Sequence, residues 1–360
     1  MFGLKMEKRA VSSPWVELGI SGLSIVIALT AGALLLLLQG FNPLRVYSIL
    51  FSGGFGSLPA LAETLTKTIP LLLIGVGLVF AFSAKVWNIG APGQMLMGAI
   101  VAGGIGLFLK LDIPASAHIA LMFIAGGVAG AGFAVICALL NAKLRLDMVI
   151  STLMLNFVAL KLLIYLLDGP WQGAAGFLFT DPLPPQLYLP MLAGTSIHYP
   201  TLIIGIAAAI SAHIFMRRTK LGYEIRVFGE NPKAAEYAGI HKVKLITLVM
   251  AVSGGLAGLA GVGEVLGIHH MLKLGVDGSG LAYVSSYGYT AIIVAWLGKR
   301  SALGSALAAF FIAGILSGGQ DLQTILGIPY ALVSAILGLI LIGLIGGAIL
   351  ARYKLLFRGG

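Results

Sequence analysis

Five polar side chains set in apolar sequence are this chain's candidates for chemistry. They are Asn88 and Gln94 in SAKVWNIGAPGQ (83–94), Thr152 and Asn156 in VISTLMLNFVALK (149–161), and Glu264 near the end of an apolar run. Amides and hydroxyls make hydrogen bonds rather than breaking covalent ones, so this set suits reversible recognition of a polar solute. Polar groups are costly in hydrocarbon unless paired, so their presence needs a reason. Thr152 lies four residues before Asn156, which places both on one helix face. Ser151 and Lys161 could extend that line. Hydrogen bonding between helices is the competing use of such residues. Glu264 can pair with a base or reach water.

A second group of residues suits docking rather than binding. Arg217–Lys244 is a basic polar segment between apolar runs, and it contains Asn231, Pro232, Ala234, Ala235, Glu236, Tyr237, Ala238 and Gly239. Asn231 is a good N-cap, Pro232 fits the first helical position, and Gly239 can adopt the left-handed conformation that ends a helix. The spacing predicts a helix over 232–238, about two turns and far too short to cross a bilayer.

Several chemistries have no basis in the sequence. The six histidines (118, 198, 213, 241, 269 and 270) lack metal-site spacing and read as interfacial or exposed. Cys137 is the only cysteine, so no intrachain disulfide can form. Gly298–Lys299 is followed by Arg300, and Ile293 stands where a phosphate-binding loop needs its first glycine. The expectation is a chain that is not an enzyme, with neither cofactor nor metal.

The elements that must hold these residues are membrane spans. The chain is 59% hydrophobic and 10% charged, with a mean hydropathy of +1.01. Continuous apolar runs predict an all-α polytopic membrane protein rather than a β-barrel. Ten spans are expected, near 18–39, 60–82, 93–110, 115–140, 148–167, 200–216, 245–268, 285–297, 302–317 and 330–350. This count leaves only Arg45, Lys67, Lys110, Lys161 and Lys273, of 23 Lys and Arg, on one side. The bias places both termini, 1–17 and 351–360, in the cytoplasm. The formal net charge of +10 is then a matter of topology, and no nucleic-acid partner is implied. Glycines at helix-packing intervals, such as Gly126/Gly130, Gly254/Gly258/Gly261 and Gly314/Gly318, predict close helix contacts.

Three non-spanning regions interrupt the 18–350 membrane domain. Residues 169–199 are rich in proline and aromatics and are expected to form an ordered external loop without a helix. Residues 217–244 form a cytoplasmic loop. Residues 83–94 are either an ordinary Pro–Gly turn or a broken helix lining a cavity, which would leave the Asn88 and Gln94 amides free for a solute. A weaker analogue lies at 288–304. Trp87 and Trp296 each sit shortly before a glycine-containing break, which hints at a duplicated half. Both tryptophans otherwise suit an inner aromatic belt.

In order along the chain, KVWNIGAPGQ (85–94), LDMVISTLMLNFVALKLL (146–163), GPW (169–171), GENPKAAEYAGI (229–240) and GYTAIIVAWLGKRSALG (288–304) carry a resemblance. They are similar to the membrane permeases of ABC importers in the ribose/branched-chain amino acid superfamily, nearest the branch that serves nucleosides with lipoprotein binding proteins. The likeness covers nearly all of the chain after the first span. Pro92 stands where that family usually has an acidic residue, which favours a helix break over a carboxylate role. The resemblance implies an importer permease fold in a bacterial-type inner membrane, with 231–239 as the coupling helix. It also implies three partners: an ABC ATPase, a second homologous permease, and an external substrate-binding lipoprotein. Asn88, Gln94, Thr152, Asn156 and Glu264 would then lie on the path of a small polar solute. A simple sugar such as ribose is the alternative cargo. An ion-coupled secondary transporter is the rival mechanism, although only Glu264 of the thirteen acidic residues falls within a span.

Overall fold

The computed structural model describes residues 3–8, 14–174, 176–274, 286–328, isolated positions between 332 and 343, and 353–358. Its elements are β1 (Gly3–Lys8), α1 (Pro14–Leu38), α2 (Pro43–Phe55), α3 (Leu58–Ser83), α4 (Ala91–Phe108), α5 (Ala115–Leu144) and α6 (Met148–Asp168). There follow α7 (Tyr199–Arg218), α8 (Lys220–Glu230), α9 (Pro232–Tyr237), α10 (Lys242–Glu264), α11 (Ser286–Leu297), α12 (Ala302–Leu326) and β2 (Tyr353–Arg358). A π-helical turn, Val265–His269, continues α10. Seven of these helices are long and apolar enough to cross a membrane, and α1 with α2 forms an eighth, sharply bent candidate. The protein is a polytopic helical membrane protein. The first nine expected spans each coincide with a helix; the tenth, 330–350, lies mostly outside the described residues.

Three elements differ from the expected pattern. The helix α2 was not foreseen: it turns back from the second half of α1 at 119°. Asn42 caps it, its side chain accepting from the Leu44 and Arg45 amides, and Pro43 opens it. That is the same Asn-Pro start recognised at 231–232, but in an apolar setting it was passed over. The helix α12 runs nine residues past the expected 317. The terminal strands β1 and β2 pair antiparallel, Gly3 opposite Arg358 through Lys8 opposite Tyr353, adding a small ribbon to an otherwise helical chain.

The chain divides into two compact units, residues 1–61 with 314–360, and residues 62–313. In the first, Leu36, Val46, Leu50, Ile315, Leu322 and Ile328 form one apolar cluster. Tyr47 Oη donates to the Leu29 carbonyl at 2.6 Å. Gly314 and Gly318 pack against Phe55 and the Leu50 backbone of α2, where any side chain would collide.

The second unit is organised by close contact among α4, α5 and α10. A Cβ on Gly130 would strike the Gly254 carbonyl, one on Gly258 the Gly126 carbonyl, and one on Gly98 the Gly258 carbonyl. Backbone thus meets backbone along two helix faces. Dispersion holds helices together in lipid, and this approach maximises it. Among the described residues, 169–198 holds no α-helix and is pinned to the end of α10. Thr180 N–H donates to the Leu272 carbonyl at 2.9 Å, Leu183 N–H to His270 at 2.8 Å, and Leu189 N–H to Leu266 at 3.0 Å. Leu183, Leu187, Leu189 and Ile197 are buried beneath it.

Candidate functional site

The helix α3 ends at Ser83 in a left-handed turn made by a lysine. Lys85 has φ +56; its N–H donates to the Phe82 carbonyl at 3.1 Å and the Val86 N–H to Ala81 at 2.9 Å. This is the double bond pattern that closes a helix around a left-handed residue. The chain then runs non-helically to Gly90, and α4 starts at Ala91 with Pro92 in its first turn. Residues 84–90 are therefore a non-helical connection between two helices that are each long and apolar enough to cross a membrane.

Lys85 and Trp87 of this stretch are exposed, but Asn88 and Gly90 are buried and Ile89 half-buried, so the amides and carbonyls of 88–90 must find partners inside the protein. The polar residues singled out from sequence supply them. Ile89 N–H donates to Thr152 Oγ1 at 3.3 Å. Asn156 accepts from Gly93 N–H at 2.9 Å and donates to the Ile89 carbonyl at 2.9 Å. Asn88 Oδ1 accepts from Gly90 N–H at 3.0 Å and from Gln94 Nε2 at 2.9 Å. Asn88 Nδ2 in turn donates to Gln94 Oε1 and to Ser253 Oγ of α10, both at 2.9 Å. The structure thus brings Asn88, Gln94, Thr152 and Asn156 together and adds Ser253, which sequence reasoning missed. A lone serine among the glycines of α10 gave little signal.

The amides do not stand free, as the broken-helix expectation had them. Asn88 is saturated by Gly90, Gln94 and Ser253, Thr152 and Asn156 bond the backbone of Ile89 and Gly93, and Gln94 exchanges two bonds with Asn88. Beside the network lies a cleft of about 10 Å³, room for about one water. It is lined by Pro92, Gly93, Leu96, Asn156, Phe157, Leu160 and Tyr289. Asn156 Nδ2 also points to Tyr289 Oη at 3.4 Å. Lys161 is exposed and takes no part.

Glu264 is not in this network. It lies eleven residues beyond Ser253 on the same helix, roughly 16 Å along the axis. It is buried, with His269 Nε2 at 3.7 Å from its carboxylate. Lys67 is buried as well, paired with Glu63 at 3.3 Å. The histidines also differ from expectation: His118 and His198 are buried, and Tyr188 stacks on His270 at 3.7 Å between ring centroids. Burial pushes the His198 imidazole down to about 4. The apolar sequence around these histidines hides what tertiary packing does to them.

A second left-handed lysine ends α11. Lys299 (φ +53) donates its N–H to the Trp296 carbonyl at 2.9 Å, and Arg300 N–H donates to Ala295 at 3.1 Å. The bond pattern matches that at Lys85 position for position. Trp296 therefore corresponds to Phe82, not to Trp87 as the sequence hinted. The three rings meet: Trp87 stacks on Trp296 at 5.5 Å, and Phe82 lies 5.7 Å from Trp87. Both tryptophans remain partly exposed.

The expected polar loop 217–244 holds two helices. Unforeseen from sequence, α8 is capped by Thr219, whose hydroxyl accepts from Gly222 N–H at 3.0 Å. It buries Gly222, Ile225, Phe228 and Gly229, a helical spacing legible in retrospect. In α9, Asn231 caps through the Ala234 N–H at 3.2 Å. Ala238 is its C-cap rather than its last helical residue. Gly239, at φ +84, ends the motif with Ile240 N–H donating to Ala235 at 3.0 Å. Only Ala235 of α9 is buried; Ala234, Glu236, Ala238 and Gly239 are exposed, and Tyr237 is 94% exposed.

Such a bundle of packed spans, interrupted by a buried break and carrying a short capped helix, has the design of a transport permease. Residues 60–345 match the family model described as branched-chain amino acid transport system / permease component, and the chain belongs to that family of ABC transporter permeases. It is 33% identical to the glucose ABC transporter permease protein TsgB13 of Haloferax volcanii, over 98% of this chain and 93% of that one. It is 30% identical to the guanosine ABC transporter permease protein NupP of Bacillus subtilis, over 89% and 90%. It is 32% identical to the nucleoside ABC transporter permease protein NupB of Lactococcus lactis, over 87% and 86%.

Proposed function

We propose that this permease is the membrane subunit of an ATP-driven importer, that residues 231–239 receive the ATPase, and that its cargo is a nucleoside. The observation that carries the coupling assignment is the state of α9. A fully capped helix of one and a half turns, held by Ala235 alone, offers Tyr237 and its neighbours to whatever meets that face. Exposed aromatics of this kind are characteristic anchors of protein interfaces. The assembly would hold a second homologous permease and an external lipoprotein that delivers solute. The charge bias along the sequence supports a cytoplasmic α9 and cytoplasmic termini, in a bacterial-type inner membrane. The pairing of β1 with β2 is consistent with termini on one side.

For the cargo, the cleft is the relevant region. Phe157 and Tyr289 offer ring faces next to the Asn156 amide, a combination suited to a flat heterocycle with hydrogen-bonding edges. At about one water in volume the cleft is closed, so passage requires α4 and α6 to separate. That separation would release Asn156 and Thr152 from the backbone of Ile89 and Gly93 and offer them to the solute. Two relatives named for guanosine and nucleoside transport favour this cargo. The relative named for glucose transport favours a sugar as the second candidate.

One assembly tests both parts. With ATPase, partner permease and lipoprotein in proteoliposomes, ATP-dependent uptake of labelled guanosine should exceed that of glucose. Ala238→Arg should abolish uptake and ATPase co-purification while the permease still inserts. Wild-type uptake by that variant refutes the coupling site; glucose uptake without guanosine uptake refutes the cargo.

A further inference from the structure

The proposed docking helix is joined to the non-helical 84–90 segment through the end of α8, by a close approach at Gly229 and a side-chain contact from Lys85. The helix α8 runs directly into α9, with Asn231 closing one and capping the other. At the end of α8, Gly229 lies so close to the end of α3 that a Cβ there would overlap the Ser83 carbonyl. Two residues beyond Ser83, Lys85 stands in its left-handed turn and extends Nζ to the Glu230 carbonyl at 3.5 Å. That carbonyl belongs to the last turn of α8, where an ammonium interacts favourably with the helix dipole. From Lys85 the chain enters the buried stretch that ends at Asn88 and Gly90. The end of α8 thus touches the chain on both sides of Ala84, where the 84–90 segment starts.

The choice of residues fits transmission better than packing alone. An L-residue in the left-handed region costs about 1–2 kcal/mol, and glycine would remove that cost. A lysine there retains a side chain that glycine cannot supply, the one reaching Glu230.

We infer that Lys85 and Gly229 are positioning residues that carry motion of α9 into the 84–90 break, coupling ATP hydrolysis to opening of the cleft. This rests on α9 being the ATPase contact. The test is the number of ATP molecules hydrolysed per guanosine imported by the complete transporter in proteoliposomes. Lys85→Gly keeps the turn, since glycine adopts it freely, but removes the contact with Glu230. It should leave the ATPase bound, thermal stability undiminished and hydrolysis running, while ATP consumed per guanosine rises about tenfold, within the usual range for coupling between sites. Lys85→Arg, which preserves the cation, should restore the ratio. Gly229→Ala should wedge α8 from α3 with the same effect; if it fails to reach the membrane, the lysine pair decides. A wild-type ratio for Lys85→Gly, beside an Ala238→Arg variant that has lost the ATPase, overturns the link alone. Wild-type behaviour of both variants overturns the docking assignment and the link with it.

Discussion

The two breaks, at 84–90 and 298–301, begin alike and end differently. Each opens with a lysine in the left-handed region and the same pair of backbone bonds. The second is then a four-residue turn: Gly298 packs directly on Gly304 and Ser305, and α12 begins at once. The first runs seven residues, exposed at Lys85 and Trp87 and buried at Asn88 and Gly90, with Asn88, Thr152 and Asn156 supplying partners to the backbone of Ile89, Gly90 and Gly93. A tight turn needs only close backbone approach. A longer buried excursion leaves donors and acceptors that must be matched one by one. The first break is therefore specified by side chains.

The strongest way to break this contrast is Asn156→Ala. It strips a partner from both the Gly93 N–H and the Ile89 carbonyl, each inside the protein. Leaving a buried backbone group unsatisfied costs roughly 1–3 kcal/mol, so the pair should lose about 2–6 kcal/mol. Thermal unfolding of the detergent-solubilised permease reads this directly. A loss below about 1 kcal/mol would mean that water replaces the amide and that the break is not side-chain specified.

A pH series sharpens the same point, because the first network contains amides and hydroxyls and no titrating group. Its contribution should be flat between pH 4 and 8. His198, buried away from both breaks, should not be: its imidazole titrates near 4 when folded and near 6.5 when unfolded. Between those values the unfolded chain binds the extra proton, so stability rises with pH across the window and is fully present above 6.5. At pH 5.5 the deficit relative to pH 8 should be about 1 kcal/mol. His198→Phe should remove it. If the pH dependence survives in that variant, it originates elsewhere.

How much of this could be read beforehand depends on range. The apolar runs of α3 to α7 and α10 to α12 were legible because a span is a local property of some twenty residues. So was α9, whose cap, proline and terminal glycine lie within nine residues. Asn42–Pro43 carried the same signature but sat in apolar sequence, where no polar contrast drew attention to α2. In α8 the signal was the spacing of Gly222, Ile225, Phe228 and Gly229, diluted by the charges around it. Asn88, Gln94, Thr152 and Asn156 were identifiable as polar intruders. Their hydrogen bonds span up to 165 residues of sequence, and no local pattern encodes such a partner. Aligning Trp87 with Trp296 misled for a related reason: residue type suggested an equivalence, whereas backbone hydrogen bonds define it at Phe82.

The shared opening of the two breaks predicts a shared response. Lys85→Gly and Lys299→Gly each replace a left-handed L-residue with one that adopts that region freely. Relief of strain, offset by the added freedom of the unfolded chain, should stabilise each by about 1 kcal/mol or less. Similar increments in denaturant titrations would support one construction used twice. A gain at 299 with a loss at 85 would mean that the Lys85 contact with Glu230 outweighs its strain, widening the difference between the breaks.

The smallest effect bears on the second break alone. Ser305 is fully buried, and among the described residues its hydroxyl has no hydrogen-bond partner. Burying an unpaired hydroxyl costs roughly 1–3 kcal/mol on protein scales, while its removal leaves a void smaller than a methyl group. Ser305→Ala should therefore be neutral to stabilising, by up to about 1 kcal/mol. The sign is what matters. A loss of the same size would reveal a side-chain bond at the second break too, and the two interruptions would then differ in length but not in kind.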